Sequence, residues 1–124
     1  MSINKVILIG NVGRDPKVKY VDVDRAVASF TLATSELPYT LANGTQVAER
    51  TDWHNIVTWG KLAKFVEQYI RKGHKLFIEG SIHYRTYEDR NSIQKNITEI
   101  WAEKIEFCSV ATPKNKTQGN EATI

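Results

Sequence analysis

Lys61-Leu62-Ala63-Lys64-Phe65-Val66-Glu67-Gln68-Tyr69-Ile70-Arg71-Lys72 is the one clear helix in this chain. Leu62, Phe65, Val66, Tyr69 and Ile70 recur at the three- and four-residue spacing that gathers side chains into one buried stripe. Gly60 breaks the pattern before it. Gly73 follows as a C-cap, with Arg71 and Lys72 placed to meet the negative end of the helix dipole. Every other patterned stretch reads as strand, so the place of this helix among the strands decides the fold.

Before the helix, residues 3–12 form a run rich in Val, Ile and Leu. Gly13-Arg14-Asp15-Pro16 then turns the chain, since Gly and Pro supply the backbone angles a turn needs. Residues 17–21 are extended again. A second strand spans residues 25–34, with Phe30 and Leu32 on one face. The polar stretch 35–50 contains Pro38 and Asn43-Gly44, a strong hairpin-turn signal, and reads as a long loop or protruding hairpin. A third strand covers residues 51–59.

After the helix, residues 74–88 alternate. Leu76, Ile78, Ile82 and Tyr84 share one face, and Phe77, Glu79, Ser81, His83, Arg85 and Tyr87 share the other. Asp89-Arg90-Asn91-Ser92 turns the chain into a fifth strand, residues 93–107, containing Ile97, Trp101, Ile105 and Phe107. Three strands, one helix and two strands is the order of an all-β, five-stranded Greek-key OB-fold barrel, an order other small β-barrels share. OB barrels hold oligonucleotides or oligosaccharides, so the fold alone does not select the ligand. The expected domain is residues 1–108. Residues 109–124, built from Ser, Thr, Lys, Asn, Gln and Gly with almost nothing to bury, read as a disordered tail.

Composition sets broad bounds. The 124 residues suit one domain, and 41% hydrophobic residues suit one modest core. A net charge of +3 favours an anionic partner without proving one. The single cysteine, Cys108, rules out an internal disulfide and fits a reducing compartment. No apolar run approaches the roughly 20 residues of a membrane span, and residues 1–10 lack the length and cleavage site of a secretion signal. His54, His74 and His83 show no metal-ligand spacing. Gly60-Lys61 lacks the glycine and the Ser or Thr of a phosphate loop, and Asp22 and Asp24 read as a solvated turn. No nucleophile motif is present. Neither a metal nor a cofactor is expected, and the chain is not read as an enzyme.

What stands out is aromatic and basic residues together. Trp53 and Trp59 share a strand face with Asn55 and Val57; Tyr87 shares one with Arg85 and His83; Tyr39 lies in the long loop; Lys61 opens the helix and Lys72 closes it. An exposed ring stacks on any nucleobase without reading sequence, and nearby cations neutralise phosphates. Aromatic residues in strands are also ordinary core residues. Trp101 and Tyr69, among apolar neighbours, are assigned to the core. For Trp53 and Trp59 alternation leaves core and platform both open, and Tyr87, beside Arg85 and Glu88, is expected to be exposed.

Several blocks, in order, carry a family resemblance: Asn4-Lys5-Val6-Ile7-Leu8-Ile9-Gly10-Asn11-Val12-Gly13-Arg14-Asp15-Pro16, Ala28-Ser29-Phe30-Thr31-Leu32-Ala33-Thr34-Ser35-Glu36, Thr51-Asp52-Trp53-His54-Asn55-Ile56-Val57, Trp59-Gly60-Lys61-Leu62-Ala63, Tyr69-Ile70-Arg71-Lys72-Gly73, Ile78-Glu79-Gly80 and Tyr84-Arg85-Thr86-Tyr87. Over residues 3–107 the chain resembles bacterial single-stranded-DNA-binding proteins. The resemblance implies a homotetramer of OB domains, cytoplasmic and nucleoid-associated, that wraps single-stranded DNA in replication, repair and recombination. It implies stacking by Trp53, Trp59, Tyr87 and Tyr39, phosphate contacts by Lys61, Lys72 and Arg85, and a subunit interface at His54. Asn55, His83 and Thr86 stand where the family often has basic residues. The family usually ends in an acidic tail with a Pro-Phe tip that recruits replication and repair proteins. Here the end reads Gly119-Asn120-Glu121-Ala122-Thr123-Ile124, so recruitment through the tail is not expected. Two alternatives are a primosomal OB-fold accessory protein, binding a helicase and DNA, and a nuclease. The second needs clustered carboxylates, which the expected face lacks.

Overall fold

A computed structural model describes residues 1–108; the expectations for residues 109–124 fall outside it. The elements are β1 (Val6–Val12), β2 (Lys17–Asp22), β3 (Arg25–Glu36), β4 (Tyr39–Thr40), β5 (Gln46–Val47), β6 (Arg50–Trp59), α1 (Gly60–Tyr69), β7 (Lys75–Glu88) and β8 (Gln94–Phe107). The main sheet runs β1-β7-β8-β6-β3-β2, and a further pairing of β1 with β3 closes five of these strands into a ring. This is the five-stranded barrel the element order implies, with β2 added to the outside of β3. All ladders are antiparallel except β6 with β8, which pair in parallel through Ile56–Ile100 and Val57–Trp101.

Alternation along the strands fills the barrel. Ala26, Ala28, Phe30 and Leu32 of β3 point inward, with Ile56 of β6, Leu76 and Ile78 of β7, and Ile100 and Ile105 of β8. Thr58 is also fully buried, and its hydroxyl donates to the Ala28 carbonyl at 3.0 Å, so this hydroxyl is not stranded. From α1 and the residue after it, Ala63, Val66 and Ile70 pack against this core. The helical stripe is therefore narrower than expected. It centres on Ala63, Val66 and Ile70, and Tyr69 lies on its rim, exposed and packed against Phe65 at 5.2 Å. The core assignment of Tyr69 is thus corrected.

The helix also ends at Tyr69 rather than Lys72. Arg71 folds back, and its guanidinium donates to the carbonyls of Glu67 and Ile70 at 2.8 and 2.6 Å. It satisfies the last-turn acceptors that the helix leaves open. Gly73 has φ 92° and donates its N–H to the Val12 carbonyl, so it turns the chain toward β7 instead of capping the helix.

One irregularity governs the rest. Between the pairs Glu79–Lys104 and Gly80–Ala102, β8 carries one extra residue, Glu103. This bulge reverses the parity of β8. Ile105 on one side and Ala102 and Ile100 on the other all face the core, so Trp101, at the same parity as Ile105, faces outward. The core assignment of Trp101 is corrected on that ground. At the bulge, a β-carbon on Gly80 would collide with the Trp101 carbonyl, so only glycine lets the two strands approach.

Two appendages leave the barrel. The polar stretch after β3 is a small ribbon of β4 and β5, whose turn uses Asn43-Gly44; Gly44 has φ 91°, and the Asn43 side chain accepts from the Thr45 N–H at 2.9 Å. Beyond Ile82 and Ile100, β7 and β8 run on as a two-stranded arm. Tyr84 to Glu88 and Gln94 to Asn96 are all exposed on it.

Candidate nucleic-acid interface

The outward side chains of β6 are Trp53, Asn55, Val57 and Trp59, because Ile56 and Thr58 take the inside. Alternation alone left this open; the closed barrel settles it, since a small barrel has room inside for only one face of each strand. Trp53 is 61% exposed and Trp59 44% exposed. At about 3.3 Å per residue the two indoles stand about 20 Å apart along one strand.

Each indole is braced differently. Trp53 lies over the turn between β1 and β2: a β-carbon on Gly13 would run into its six-membered ring and into the Thr31 hydroxyl. One side of the indole rests on backbone while much of the ring stays open. Trp59 ends β6 and precedes α1, and its ring meets Trp101 edge-on at 4.8 Å and 75°. Trp101 in turn carries the His83 imidazole flat against it, at 3.7 Å and 16°. Trp59, Trp101 and His83 form one continuous aromatic patch on the outer face. Trp101 was missed because it lies among apolar neighbours in the sequence. The alternation of Ile100 and Ala102 is the signal that could have placed it.

Glu99 lies within this face and is only 5% exposed. One carboxylate oxygen accepts from the Nε and Nη2 of Arg85, and the other accepts from the Trp101 indole N–H at 3.1 Å. Burial pushes the Glu99 carboxyl upward, but the hydrogen bonds from Arg85 and Trp101 and the charges of Arg85 and His83 outweigh it and hold the group below the usual range. Arg85, expected as a phosphate contact, is paired with Glu99. Beside it, Arg14 and Lys17 line the same shallow groove, over a floor of Asn55 and Val57. These two cations were not singled out in the sequence, where they read as turn and strand surface.

The remaining expected residues are more dispersed. Tyr87 stands on the arm, 44% exposed, opposite Lys95. Lys61 is exposed in the first turn of α1, two residues from Trp59. Lys72 is exposed beyond the helix, where its N–H donates to the Asp15 carboxylate at 2.8 Å. Tyr39 is exposed on the separate β4–β5 ribbon. His54 takes the inner parity of β6 and is half-buried, its Nε2 2.8 Å from the Thr34 hydroxyl. The structure therefore brings Trp53, Trp59 and Arg85 to one barrel face, sets Tyr87, Tyr39 and Lys72 on its surroundings, and turns His54 away from it.

Residues 3–108 match the model of a family described as the single-strand binding protein family. The chain belongs to that family. Among curated members, a single-stranded DNA-binding protein of Bacteroides thetaiotaomicron is 54% identical over 119 residues, 96% of this chain and 72% of that protein. Those of Neisseria meningitidis serogroups A and B are each 44% identical over 107 residues, 86% of this chain. The chain covers 60% of each Neisseria protein. A solved structure described as "Plasmodium falciparum SSB complex with ssDNA" matches with a TM-score of 0.78 at 35% identity, covering 88% of this chain and 97% of that one. In this member of the single-strand binding protein family, the outer aromatic face is thus built on the family's own barrel. Among the described residues no helix is long and apolar enough to cross a membrane, and no three His, Cys, Asp or Glu side chains are grouped to hold a metal.

Proposed function

We propose that the chain binds single-stranded DNA without regard to sequence, protecting and organising it in replication, repair and recombination. The observation that carries this is the exposure of Trp53 and Trp59 on one barrel face beside Arg14, Lys17, Lys61 and Arg85. Bases splayed from a single strand stack on the open indoles. Each stacked base contributes about 1–3 kcal/mol, and stacking is tolerant of sequence because every base has a π-face. The cations track the phosphates and release counterions. Tyr87 and Tyr39 extend the stacking surface onto the arm and the ribbon, and Lys72 adds a phosphate contact. The protein supplies no bond-breaking chemistry of its own.

In this reading the working form is a homotetramer in the bacterial cytoplasm, associated with the nucleoid, with His54 at a subunit interface. Support comes from β1. It pairs with β3 only through Asn11 and Val12, and Ile7 and Ile9 are exposed beside that edge. An exposed apolar edge strand is a surface that soluble proteins ordinarily cover. Mixing the protein with a labelled oligo-dT in the presence of Mg²⁺ tests the function: retardation without cleavage is expected, and cleavage overturns it. Mass measurement in solution, with and without the oligonucleotide, tests the assembly; a monomer in both overturns the tetramer.

A further inference from the structure

We propose that Trp101 is a positioning residue for base stacking: held by Glu99 and His83, it fixes the indole of Trp59 so that this ring stays turned to the bound strand. The inference rests on the single-strand reading and adds to it a residue that acts through Trp59 and stacks on no base itself.

Trp101 reaches its place through the bulge at Glu103, which turns it outward on β8. There it pairs with Ser81 of β7 on one side and Val57 of β6 on the other. His83 and Trp59 each lie two residues further along those neighbouring strands, a diagonal spacing that aromatic side chains span. The three rings therefore cross three strands as one belt, and Trp101 is its fixed member. Its indole N–H donates to the Glu99 carboxylate at 3.1 Å, and Arg85 holds that carboxylate in turn. His83 covers one face of the indole at 3.7 Å, with its own Nε2 2.8 Å from the Ser81 hydroxyl. With its N–H engaged and one face covered, Trp101 has little left to offer a base.

Trp59 needs such a support. Trp53 rests on the turn at Gly13, but Trp59 ends its strand. Gly60 beyond it has φ 62°, with open space where a β-carbon would stand. On the β3 side Trp59 borders an open hollow lined by Val21, Arg25 and Val27. On the β8 side it meets Trp101 at 4.8 Å and 75°. An edge-to-face contact favours one mutual orientation of two rings. A ring already fixed in this way loses no further rotamer freedom when a base stacks on it from the hollow. A free ring does, and that loss subtracts from affinity.

The test is a double-mutant cycle on oligo-dT affinity, measured on folded protein. Trp101→Ala should weaken binding about two- to tenfold, the worth of immobilising one side chain. It should leave the slope of log K against log salt unchanged, because no phosphate contact is lost. The weakening should persist in a Trp53→Ala background and disappear in a Trp59→Ala background, since only coupled residues depart from additivity. Should Trp101→Ala fail to fold, two variants of Glu99 replace it. Glu99→Gln and Glu99→Leu both release Arg85, but only the first keeps an acceptor for the indole. Glu99→Leu should bind the more weakly of the two, again about two- to tenfold. A loss that survives in the Trp59→Ala background, an unchanged affinity in Trp101→Ala, or equal affinities of the two Glu99 variants overturns the proposal alone. No binding by the wild-type protein overturns the single-strand reading and this proposal with it.

Discussion

Arg85 Nη2 lies 2.9 Å from the carboxylate of Glu99. A cation held this way meets a phosphate only by sharing itself with the carboxylate or leaving it. Arg85→Ala should therefore flatten the salt dependence by less than the full slope of about 0.7 that one free contact gives. Glu99→Gln keeps the shape and an acceptor for the Trp101 N–H but releases Arg85. It should tighten binding and steepen the slope, and cost about 1 kcal/mol of stability, as expected for a partly exposed pair. Titrations of oligo-dT binding against salt, alongside urea unfolding, check both variants.

The same carboxylate makes stability depend on acid. Its folded value is held below the ordinary carboxylate value of 4.5. A depressed folded value means that the native state binds the proton less readily than the unfolded chain does. The stabilisation is complete above the ordinary value and is lost as pH falls through the folded one. Melting temperatures measured on either side of that window should fall on acidification, and should fall less in Glu99→Gln. An equal loss in both proteins would assign the acid sensitivity to other groups.

Stacking is open to direct measurement. Poly-dT should quench the tryptophan fluorescence, and Trp53→Ala or Trp59→Ala should each weaken binding by about 1–3 kcal/mol while the barrel stays folded. Trp59→Ala should also leave Trp101 more exposed, since their rings meet at 4.8 Å. Undiminished affinity in both variants would remove the platform.

Gly13 separates the fold from the site. Its missing β-carbon leaves the space that the Trp53 indole occupies. Gly13→Ala should push the indole off the turn and lose up to the about 1–3 kcal/mol of binding assigned to Trp53. The stability change should be smaller than for a core truncation such as Phe30→Ala, which costs about 3–5 kcal/mol. Affinity and thermal unfolding measured on both variants distinguish the two effects.

Much of this could be read from the residues. The helix between the third and fourth long strands, the Asn43-Gly44 turn and the buried Phe30, Leu32, Leu76 and Ile78 follow from spacing alone, because each rests on local periodicity. Trp101 and Tyr69 did not follow. Both sit among apolar residues, and neighbours in sequence do not reveal a one-residue bulge at Glu103 or the rim of a stripe. The pairing of Arg85 with Glu99 was equally hidden, since it depends on the register of two strands that brings together residues 14 apart in the chain.

The β7–β8 arm bears Tyr87 beyond the last inward-facing residues. Opening it breaks its own ladder and uncovers almost no core, so its amides should exchange with solvent water through local unfolding long before those of β3 or β6. In the proposed reading, a base stacking on Tyr87 must first quiet this motion, and part of its gain offsets the chain entropy it removes. Trp53 rests on a turn seated against the barrel wall and carries little of that cost. The two rings, both open to solvent, thus differ in what they return on binding because of the stiffness of what lies beneath them.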